Sequence, residues 1–167
     1  MTRAFIGLGG NMGDPAASMA QALRLLDSSA GVRVSKVSRL YRTPPWGKLD
    51  QAEFRNACAE LETDLAPAAL LDLALALEQR LKRVRLERWG PRTIDIDVLA
   101  YGEARVETDR LTLPHPRIRE RAFVLIPLAE LNPDLNIEGH PVRHWLKGLD
   151  AACIEAVTAD GGWWTEV

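Results

Sequence analysis

Two aspartates separated by one residue have the clearest chemical meaning in this sequence. Asp95 and Asp97 stand in the run Ile94-Asp95-Ile96-Asp97-Val98, where apolar residues recur with period two. This alternation predicts a strand that buries its apolar residues and presents both carboxylates on the opposite face, about 6–7 Å apart. Carboxylates at that separation can hold magnesium ions bridged by a polyphosphate, although an isolated Asp-x-Asp pair can also simply decorate an exposed strand.

Basic residues immediately before this strand supply the complementary charge. The segment from residue 80 to residue 92 has one acidic residue, Glu87, and the following cations: Arg80, Lys82, Arg83, Arg85, Arg88 and Arg92. Guanidinium groups bind phosphate oxygens through paired hydrogen bonds, so arginines beside carboxylates fit magnesium–polyphosphate chemistry. Because Gly90-Pro91 breaks regular structure and charge fits a core poorly, residues 82–92 are predicted to form a mobile loop over the site.

An aromatic ring and an amide form a second candidate site. Phe54 and Asn56 share one face of a strand predicted from about residue 54 to residue 61, where a ring could stack on a heterocycle and an amide could read its edge. The preceding run Thr43-Pro44-Pro45-Trp46 predicts a rigid loop with an exposed indole. That indole is either a packing plug or a stacking surface.

Two further motifs admit both structural and functional interpretations. His115 lies between Pro114 and Pro116 and is followed by three arginines, which favours phosphate binding, although a single histidine is more often structural. The turn of residues 9–14 is rich in glycine but lacks the Gly-Lys-Ser/Thr ending of a phosphate-binding loop. A tight strand-to-helix turn is the favoured interpretation there, and a backbone lining for a small planar ligand is the alternative.

Composition limits the class of protein. The chain has 167 residues, 47% of them hydrophobic, which predicts a single domain over residues 1–167 with a real core. A net charge of −2 argues against general nucleic-acid binding. The sequence starts in a strand-like run and has no apolar span long enough for a membrane, so we expect a cytoplasmic protein. Cys58 and Cys153 are expected to be buried free thiols.

The elements that must position these residues alternate between strands and helices. Helices are predicted to start at Pro15 and Pro67, with Asp14 capping the first and Gly31 ending it. Short strands are predicted at residues 105–107 and 111–113, and a short helix at 142–149. Residues 123–131 fit either a buried strand or a helix starting after Pro127. Strands are also predicted at residues 4–8 and 32–41, the second with a bulge between Val34 and Val37.

Three blocks carry a resemblance to a known family. They are Tyr41-Arg42-Thr43-Pro44-Pro45 with Asn56, then residues 88–99, then Leu113-Pro114-His115 with Arg121 and Phe123. On these blocks the chain resembles the 6-hydroxymethyl-7,8-dihydropterin pyrophosphokinases. The resemblance implies an α+β fold, a ferredoxin-like sandwich with a mostly antiparallel central sheet flanked by helices. It also implies transfer of pyrophosphate from ATP to the pterin hydroxymethyl group, giving the pterin diphosphate and AMP in tetrahydrofolate biosynthesis.

The resemblance also implies roles for individual residues. The catalytic set is Arg83, Arg92, Asp95 and Asp97, with two magnesium ions held by Asp95 and Asp97. The ATP-binding set is Glu78, Arg92, Val98, Arg110, Thr112, His115 and Arg121. The pterin-binding set is Thr43, Pro44, Trp46, Phe54, Asn56 and Phe123. The choice between Arg83 and Arg85 as the first catalytic arginine stays open, and Pro116 replaces an aromatic residue of some relatives.

Other functions remain as alternatives at this point. A non-catalytic nucleotide- or RNA-binding module could use the same arginines, and a magnesium-dependent nucleotide hydrolase would need no pterin. No obvious association surface is visible in the sequence, so we expect a monomer without a nucleic-acid partner. The matched blocks contain no obvious general base outside the aspartate pair, so we expect the acceptor hydroxyl to be activated by the metal.

Overall fold

A computed structural model describes residues 1–44, 52–86 and 94–165, and the side chains of the second range as far as residue 82. The long elements are β1 (Thr2–Gly10), α1 (Pro15–Asp27), β2 (Val32–Val37), β3 (Tyr41–Thr43), β4 (Phe54–Thr63), α2 (Pro67–Leu86) and β5 (Asp95–Tyr101). The remaining elements are β6 (Val106–Glu107), β7 (Thr112–Leu113), α3 (Ala122–Leu131), β8 (Asn136–Ile137), β9 (His140–Pro141), α4 (Val142–Leu146) and β10 (Glu155–Ala156). Single 3-10 turns cover Ile118–Glu120 and Gly161–Trp164.

The central sheet is antiparallel throughout. Its strand order is β10-β3-β4-β1-β5. Strand β2 pairs with the same edge of β4 as β3 does, but with different residues of it. If β2 and β3 are taken as one interrupted strand, the order is that of the βαββαβ ferredoxin-like motif. The predicted α+β sandwich with a mostly antiparallel sheet is therefore confirmed.

Helices cover both faces of this sheet. Apolar residues of α1 and α2, including Leu23 and Leu70, pack with Ile96 and Val98 of β5 on one face. Leu125 and Leu128 of α3 pack with Phe5 and other residues on the second face. The alternation in β5 is as predicted, because Ile96 and Val98 are buried whereas Asp95 and Asp97 are exposed on the α3 side. The strand therefore presents its carboxylates away from the α2 layer.

Several boundaries differ from the sequence-based expectation. The predicted strand of residues 32–41 is two strands, because regular pairing with β4 ends at Val37 and resumes at Tyr41, whereas the register shift between Val34 and Lys36 lies within β2. The bulge itself is confirmed. Helix α1 ends at Asp27, before Gly31, and β1 continues to Gly10 instead of ending before the glycines. Helix α2 continues to residue 86, because lysine, arginine and leucine favour helix, so residues 82–86 of the predicted loop are helical.

Helix α3 corrects the interpretation of residues 123–131. It begins at Ala122 and contains Pro127, whereas we predicted either a strand or a helix starting after that proline. A proline inside a helix lacks the N–H that would bond to the carbonyl four residues earlier, and this loss normally ends a helix. Here Leu125 and Leu128 are fully buried on either side of Pro127, so packing against the sheet maintains the helix.

Other local predictions can be compared directly. Asp14 caps α1 by accepting a hydrogen bond from the Ala17 N–H at 3.1 Å, with Pro15 in the first turn. Helix α4 is shorter than predicted, ending at Leu146. Both cysteines are free thiols, but Cys153 is exposed, contrary to expectation. Within the described ranges, no helix combines the length and apolarity needed to cross a membrane.

Candidate active site

The exposed aspartates of β5 lie where two cavities meet. The first cavity, about 570 Å³, opens on the α3 side of the sheet, and the second, about 400 Å³, lies at the sheet edge beside α2. Asp95 and Asp97 belong to the lining of both. Ligands in the two cavities would therefore approach each other at this pair of carboxylates.

The first cavity has a floor of small residues and aromatic walls. Gly7 and Gly9 of β1 lie on its floor, and Phe54 and Phe123 are in its lining. Neither glycine adds a side chain to this part of the lining. The two phenylalanines predicted to enclose a ring are thus brought to the same cavity by β4 and α3, which are far apart in the sequence.

The amide of Asn56 is held in this cavity by two neighbours. Its Nδ2 donates a hydrogen bond to Thr43 Oγ1 at 3.0 Å. Its Oδ1 lies where a side chain on Gly9 would be, because a Cβ built on Gly9 would approach that oxygen to 2.6 Å. Gly9 and Asn56 are paired across β1 and β4. A glycine is therefore needed beside Asn56 for this amide orientation.

The second cavity collects most of the residues expected to bind ATP. Its lining includes the following members of that set: Glu78, Val98, Arg110, Thr112 and His115. Arg110 forms an ion pair with Asp72 of α2. The apolar part of the lining includes Leu71 and Leu75, which sequence reasoning did not select. Their spacing of four residues on α2 was a usable signal for a shared helix face.

Glu78 holds the backbone between the two aspartates. Its Oε1 accepts a hydrogen bond from the Ile96 N–H at 2.6 Å. Burial raises the pKa of Glu78, and the hydrogen bond from Ile96 opposes that rise. Burial also raises the pKa of Asp95, with the neighbouring charge of Asp97 as the second cause. A cation between the two aspartates would relieve the repulsion that contributes to this shift.

His115 is held as a neutral imidazole with a defined tautomer. Burial lowers the pKa of His115, which favours the neutral ring. Its Nδ1 accepts a hydrogen bond from the Arg117 N–H at 3.3 Å, which leaves the proton of the neutral ring on Nε2. The ring is part of the second cavity. His115 can therefore donate one hydrogen bond to a ligand there.

The aspartate pair fits magnesium by the chemistry of its donors. Magnesium prefers oxygen ligands and is commonly held by one or two carboxylates together with substrate phosphates. Within the described part of the chain, neither Asp95 nor Asp97 forms an ion pair, and no group of three or more potential metal ligands occurs. Two carboxylates beside a cavity match a metal that arrives with a phosphate ligand better than a closed protein cage.

The lining of the first cavity also contains one residue expected in the ATP site and several that sequence reasoning did not select. Arg121, expected in the ATP site, lines the first cavity, where its guanidinium lies 5.8 Å from the ring centre of Phe123. Arg117 and Glu120 join it there without having been selected. Gly9 and Gly10 also line this cavity, which supports the ligand-lining alternative for the glycine-rich segment.

Three predicted site residues cannot be compared with the structure. Trp46 and Arg92 lie outside the described residues, as does the side chain of Arg83. The side chain of Arg85 also lies outside the described residues, so the choice between Arg83 and Arg85 stays open. Most of the predicted loop over the site, residues 87–92, is likewise outside the described ranges. Pro44 is described but does not belong to the lining of the first cavity.

Comparisons with known proteins agree on one family. A family model described as 7,8-dihydro-6-hydroxymethylpterin-pyrophosphokinase matches residues 5–133. A 2-amino-4-hydroxy-6-hydroxymethyldihydropteridine pyrophosphokinase of Methylorubrum extorquens is 55% identical over 157 residues, covering 94% of this chain and 99% of that protein. A protein of the same name from Bacillus subtilis is 48% identical over 128 residues, covering 77% of each chain.

Solved structures resemble the fold at low sequence identity. An HPPK-DHPS crystal structure in complex with substrates superposes with a TM-score of 0.71 at 12% identity, covering 88% of this chain. Wild-type HPPK-DHPS of Plasmodium falciparum superposes with a TM-score of 0.68 at 16% identity, covering 89% of this chain. This chain spans 43% of each of those longer chains. At these identities the likeness supports the fold alone.

Proposed function

This chain belongs to the 7,8-dihydro-6-hydroxymethylpterin-pyrophosphokinase family, and from that premise we propose how its residues divide the reaction between the two cavities. The family reaction is transfer of the pyrophosphoryl group of ATP to hydroxymethyldihydropterin in folate biosynthesis. The observation that carries the proposal is that Asp95 and Asp97 line both cavities. The first cavity takes the pterin and the second takes ATP.

The first cavity suits a pterin in shape and in hydrogen bonding. Phe54 and Phe123 enclose the ring above the glycine floor, and the fixed amide of Asn56 reads its edge. Thr43 helps to orient that amide. The proline-rich segment with Pro44 and Trp46 completes the site in this proposal, on the strength of the family resemblance.

The second cavity suits a nucleotide with its phosphates directed at the aspartates. Leu71 and Leu75 offer apolar surface for a base, while Arg110, Thr112 and the His115 Nε2–H offer donors. Arg121 lines the first cavity together with the aspartates and would offer a guanidinium to phosphate oxygens that reach them. Arg92 and either Arg83 or Arg85 would bind the transferred phosphates from the segment preceding β5.

Asp95 and Asp97 would hold two magnesium ions. Bound there, the metal would neutralise charge on the phosphate oxygens and increase the acidity of the acceptor hydroxyl. Glu78 fixes the strand between the two ligands through the Ile96 N–H. We expect that the reaction needs no dedicated general base. Replacing His115 should therefore leave the pH–rate profile unchanged. A shifted profile with unchanged metal affinity would contradict this.

The working state of the protein is also part of the proposal. We expect a monomer in the cytoplasm with no nucleic-acid partner, and the net charge of −2 supports the last point. Phosphorus NMR with Mg-ATP tests the chemistry. AMP and the pterin diphosphate should appear only when hydroxymethyldihydropterin is present. Phosphate or ADP formed without pterin would instead support the hydrolase alternative, and ATP binding without any turnover would support a binding module.

The assignment of the two cavities has its own test. Asn56→Ala should raise the KM for the pterin by about fivefold, the equivalent of one hydrogen bond of ~1 kcal/mol, and leave the KM for ATP unchanged. Arg110→Ala should raise the KM for ATP and leave the KM for the pterin unchanged. If both variants raise the same KM, or if the pattern is reversed, the cavity assignment is wrong.

A further inference from the structure

The chain beyond the family match forms a segment that contacts the interrupted strand of the sheet. We call residues 155–165 the C-terminal strap. The family model ends at residue 133, so the strap lies outside the matched region. Its first part is β10, which pairs with β3 through Glu155 opposite Arg42 and Ala156 opposite Tyr41. It therefore adds a strand to the sheet beside β3, which carries Thr43 to the lining of the first cavity.

Between β2 and β3 the chain leaves the regular pairing with β4. The strap forms hydrogen bonds with backbone groups of this interrupted segment. The Val157 N–H donates to the Leu40 carbonyl at 2.8 Å, and the Leu40 N–H donates to Thr158 Oγ1 at 3.0 Å. The indole N–H of Trp163 donates to the Ser38 carbonyl at 2.9 Å. Buried backbone groups need such partners, so the strap stabilises the conformation of residues 38–40.

Close packing at one glycine restricts where the strap can lie. A Cβ on Gly161 would stand 2.0 Å from the carbonyl oxygen of Val37, so a larger residue would displace the strap. Asp160 accepts a hydrogen bond from the Gly162 N–H at 2.8 Å and fixes the turn that brings Gly161 to this position. The far end is held by Arg24 of α1, which donates to the Trp164 carbonyl at 2.8 Å.

The residues held by the strap connect directly to the first cavity. Ser38 exchanges two hydrogen bonds with Cys58 of β4: its N–H donates to the Cys58 carbonyl at 2.9 Å, and its Oγ accepts from the Cys58 N–H at 3.0 Å. Leu40 leads through β3 to Thr43, which orients the Asn56 amide. Both Cys58 and Thr43 line the cavity, so a shift of residues 38–40 would reach its walls.

We propose that the C-terminal strap is a positioning element for pterin binding, which keeps residues 38–43 in the arrangement that completes the first cavity. The inference rests on the proposed assignment of that cavity to the pterin. The strap makes no contribution to the lining of the second cavity. Loosening the strap should therefore weaken pterin binding and leave ATP binding as it is.

Two strap variants test this by removing hydrogen-bonding groups that hold residues 38–40. Thr158→Val removes the acceptor for the Leu40 N–H, and Trp163→Phe removes the donor to Ser38. If each lowers the fraction of molecules with a competent cavity to about a fifth, the KM for the pterin rises about fivefold, while the KM for ATP and kcat at saturating pterin stay near wild type. Thr158→Ser keeps the hydroxyl, so this variant should have the wild-type KM for the pterin.

A matched control separates positioning from general stability. Trp145 of α4 also donates its indole N–H to a backbone carbonyl, that of Ile137 at 2.8 Å, but it lies outside the strap and the cavity linings. Trp145→Phe should lower the melting temperature to a similar extent as Trp163→Phe and leave both KM values unchanged. A pterin KM raised equally in the control would overturn the positioning role, as would equal rises for both substrates in the strap variants.

Asn56→Ala in the same assay distinguishes a wrong cavity assignment from a wrong role for the strap. An unchanged pterin KM in that variant overturns the cavity assignment and the role of the strap with it. A raised pterin KM in Asn56→Ala, with unchanged values in both strap variants, overturns the role of the strap alone.

Discussion

At the scale of single residues, the aspartate pair of β5 is arranged for a ligand at some cost in stability. Burial and the proximity of Asp97 both raise the pKa of Asp95, so its charged form is disfavoured in the protein alone. Neither aspartate has an ion-pair partner among the described residues. Such a pair is more useful for binding a cation than for holding the fold together.

Replacing one of these carboxylates should separate activity from stability. Asp97→Asn keeps the size of the side chain and removes a proposed metal ligand, so turnover should fall on the order of a thousandfold, which corresponds to several kcal/mol of transition-state stabilisation. In a chelating buffer at pH 7 the same variant should be at least as stable as wild type, by up to ~1 kcal/mol, because a like-charge repulsion is gone. Steady-state kinetics and thermal unfolding with EDTA measure the two effects. Near-normal turnover would refute the metal-ligand role.

Gly9 is the residue whose lack of a side chain matters most for the first cavity. Its missing Cβ leaves space for the Asn56 amide oxygen, which would otherwise be 2.6 Å away. Gly9→Ala should displace this amide and raise the pterin KM about fivefold, with little change in the KM for ATP. Gly148→Ala is the matched control, because a Cβ there meets nothing within 4 Å. An unaffected pterin KM in Gly9→Ala would mean that the amide orientation is unimportant.

At the scale of elements, one carboxylate joins α3 to the interrupted strand. Glu130 of α3 accepts hydrogen bonds from the Arg39 N–H at 2.8 Å and from the Arg39 Nε–H at 3.1 Å, and also from the Tyr41 hydroxyl. The same helix carries Phe123 to the first cavity, and β3 carries Thr43. Glu130 thereby couples two walls of the cavity.

This junction gives an alkaline pH dependence with a definite sign. Burial, followed by the hydrogen bond to Glu130, raises the pKa of Tyr41 to about 12 from an ordinary 10.0. The unfolded chain therefore loses the Tyr41 proton at a lower pH than the folded chain does. The stabilisation from the protonated tyrosine is complete below pH 10 and declines as the pH rises towards 12.

Tyr41→Phe should remove this contribution. The variant should be less stable than wild type at neutral pH by about 1 kcal/mol, the usual value of a buried hydrogen bond, and the difference should shrink above pH 10. Urea unfolding between pH 8 and pH 11.5 measures it. A difference that grows with pH would show that the sign of the shift is wrong.

At the scale of the whole molecule, the two cavities are built from distant parts of the chain that meet only in the folded sheet. The first combines residues of β1, β4, β5 and α3, and the second combines α2 with β5 and the segment around β7. Each substrate should therefore stabilise the global fold by binding to the folded state alone.

Thermal unfolding with ligands checks this expectation. At a concentration of about 100 times its Kd, one ligand adds ~2.7 kcal/mol, which raises the melting temperature by roughly 5–10 °C for a chain of this size. The shift caused by ATP should require magnesium and disappear with EDTA or in Asp97→Asn. The shift caused by the pterin alone should survive Asp97→Asn. Loss of both shifts in that variant would instead indicate a misfolded site.

The sequence by itself determined the features that depend on neighbouring residues. Period two placed Asp95 and Asp97 on one face of β5, and Phe54 and Asn56 on one face of β4, because strand geometry alternates side chains whatever the surrounding fold. Pro15 with Asp14 marked a helix start, since the capping bonds are formed within one turn. The family and its fold also followed from local blocks of residues.

The tertiary structure decided which of these local features meet. Gly9 beside Asn56, Glu78 against the backbone of Ile96, and the C-terminal strap across residues 38–40 all join segments far apart in sequence. The helix through Pro127 likewise persists because of packing, against the local preference of its sequence. Such contacts depend on the order of strands in the sheet, and no periodicity within one segment contains that information.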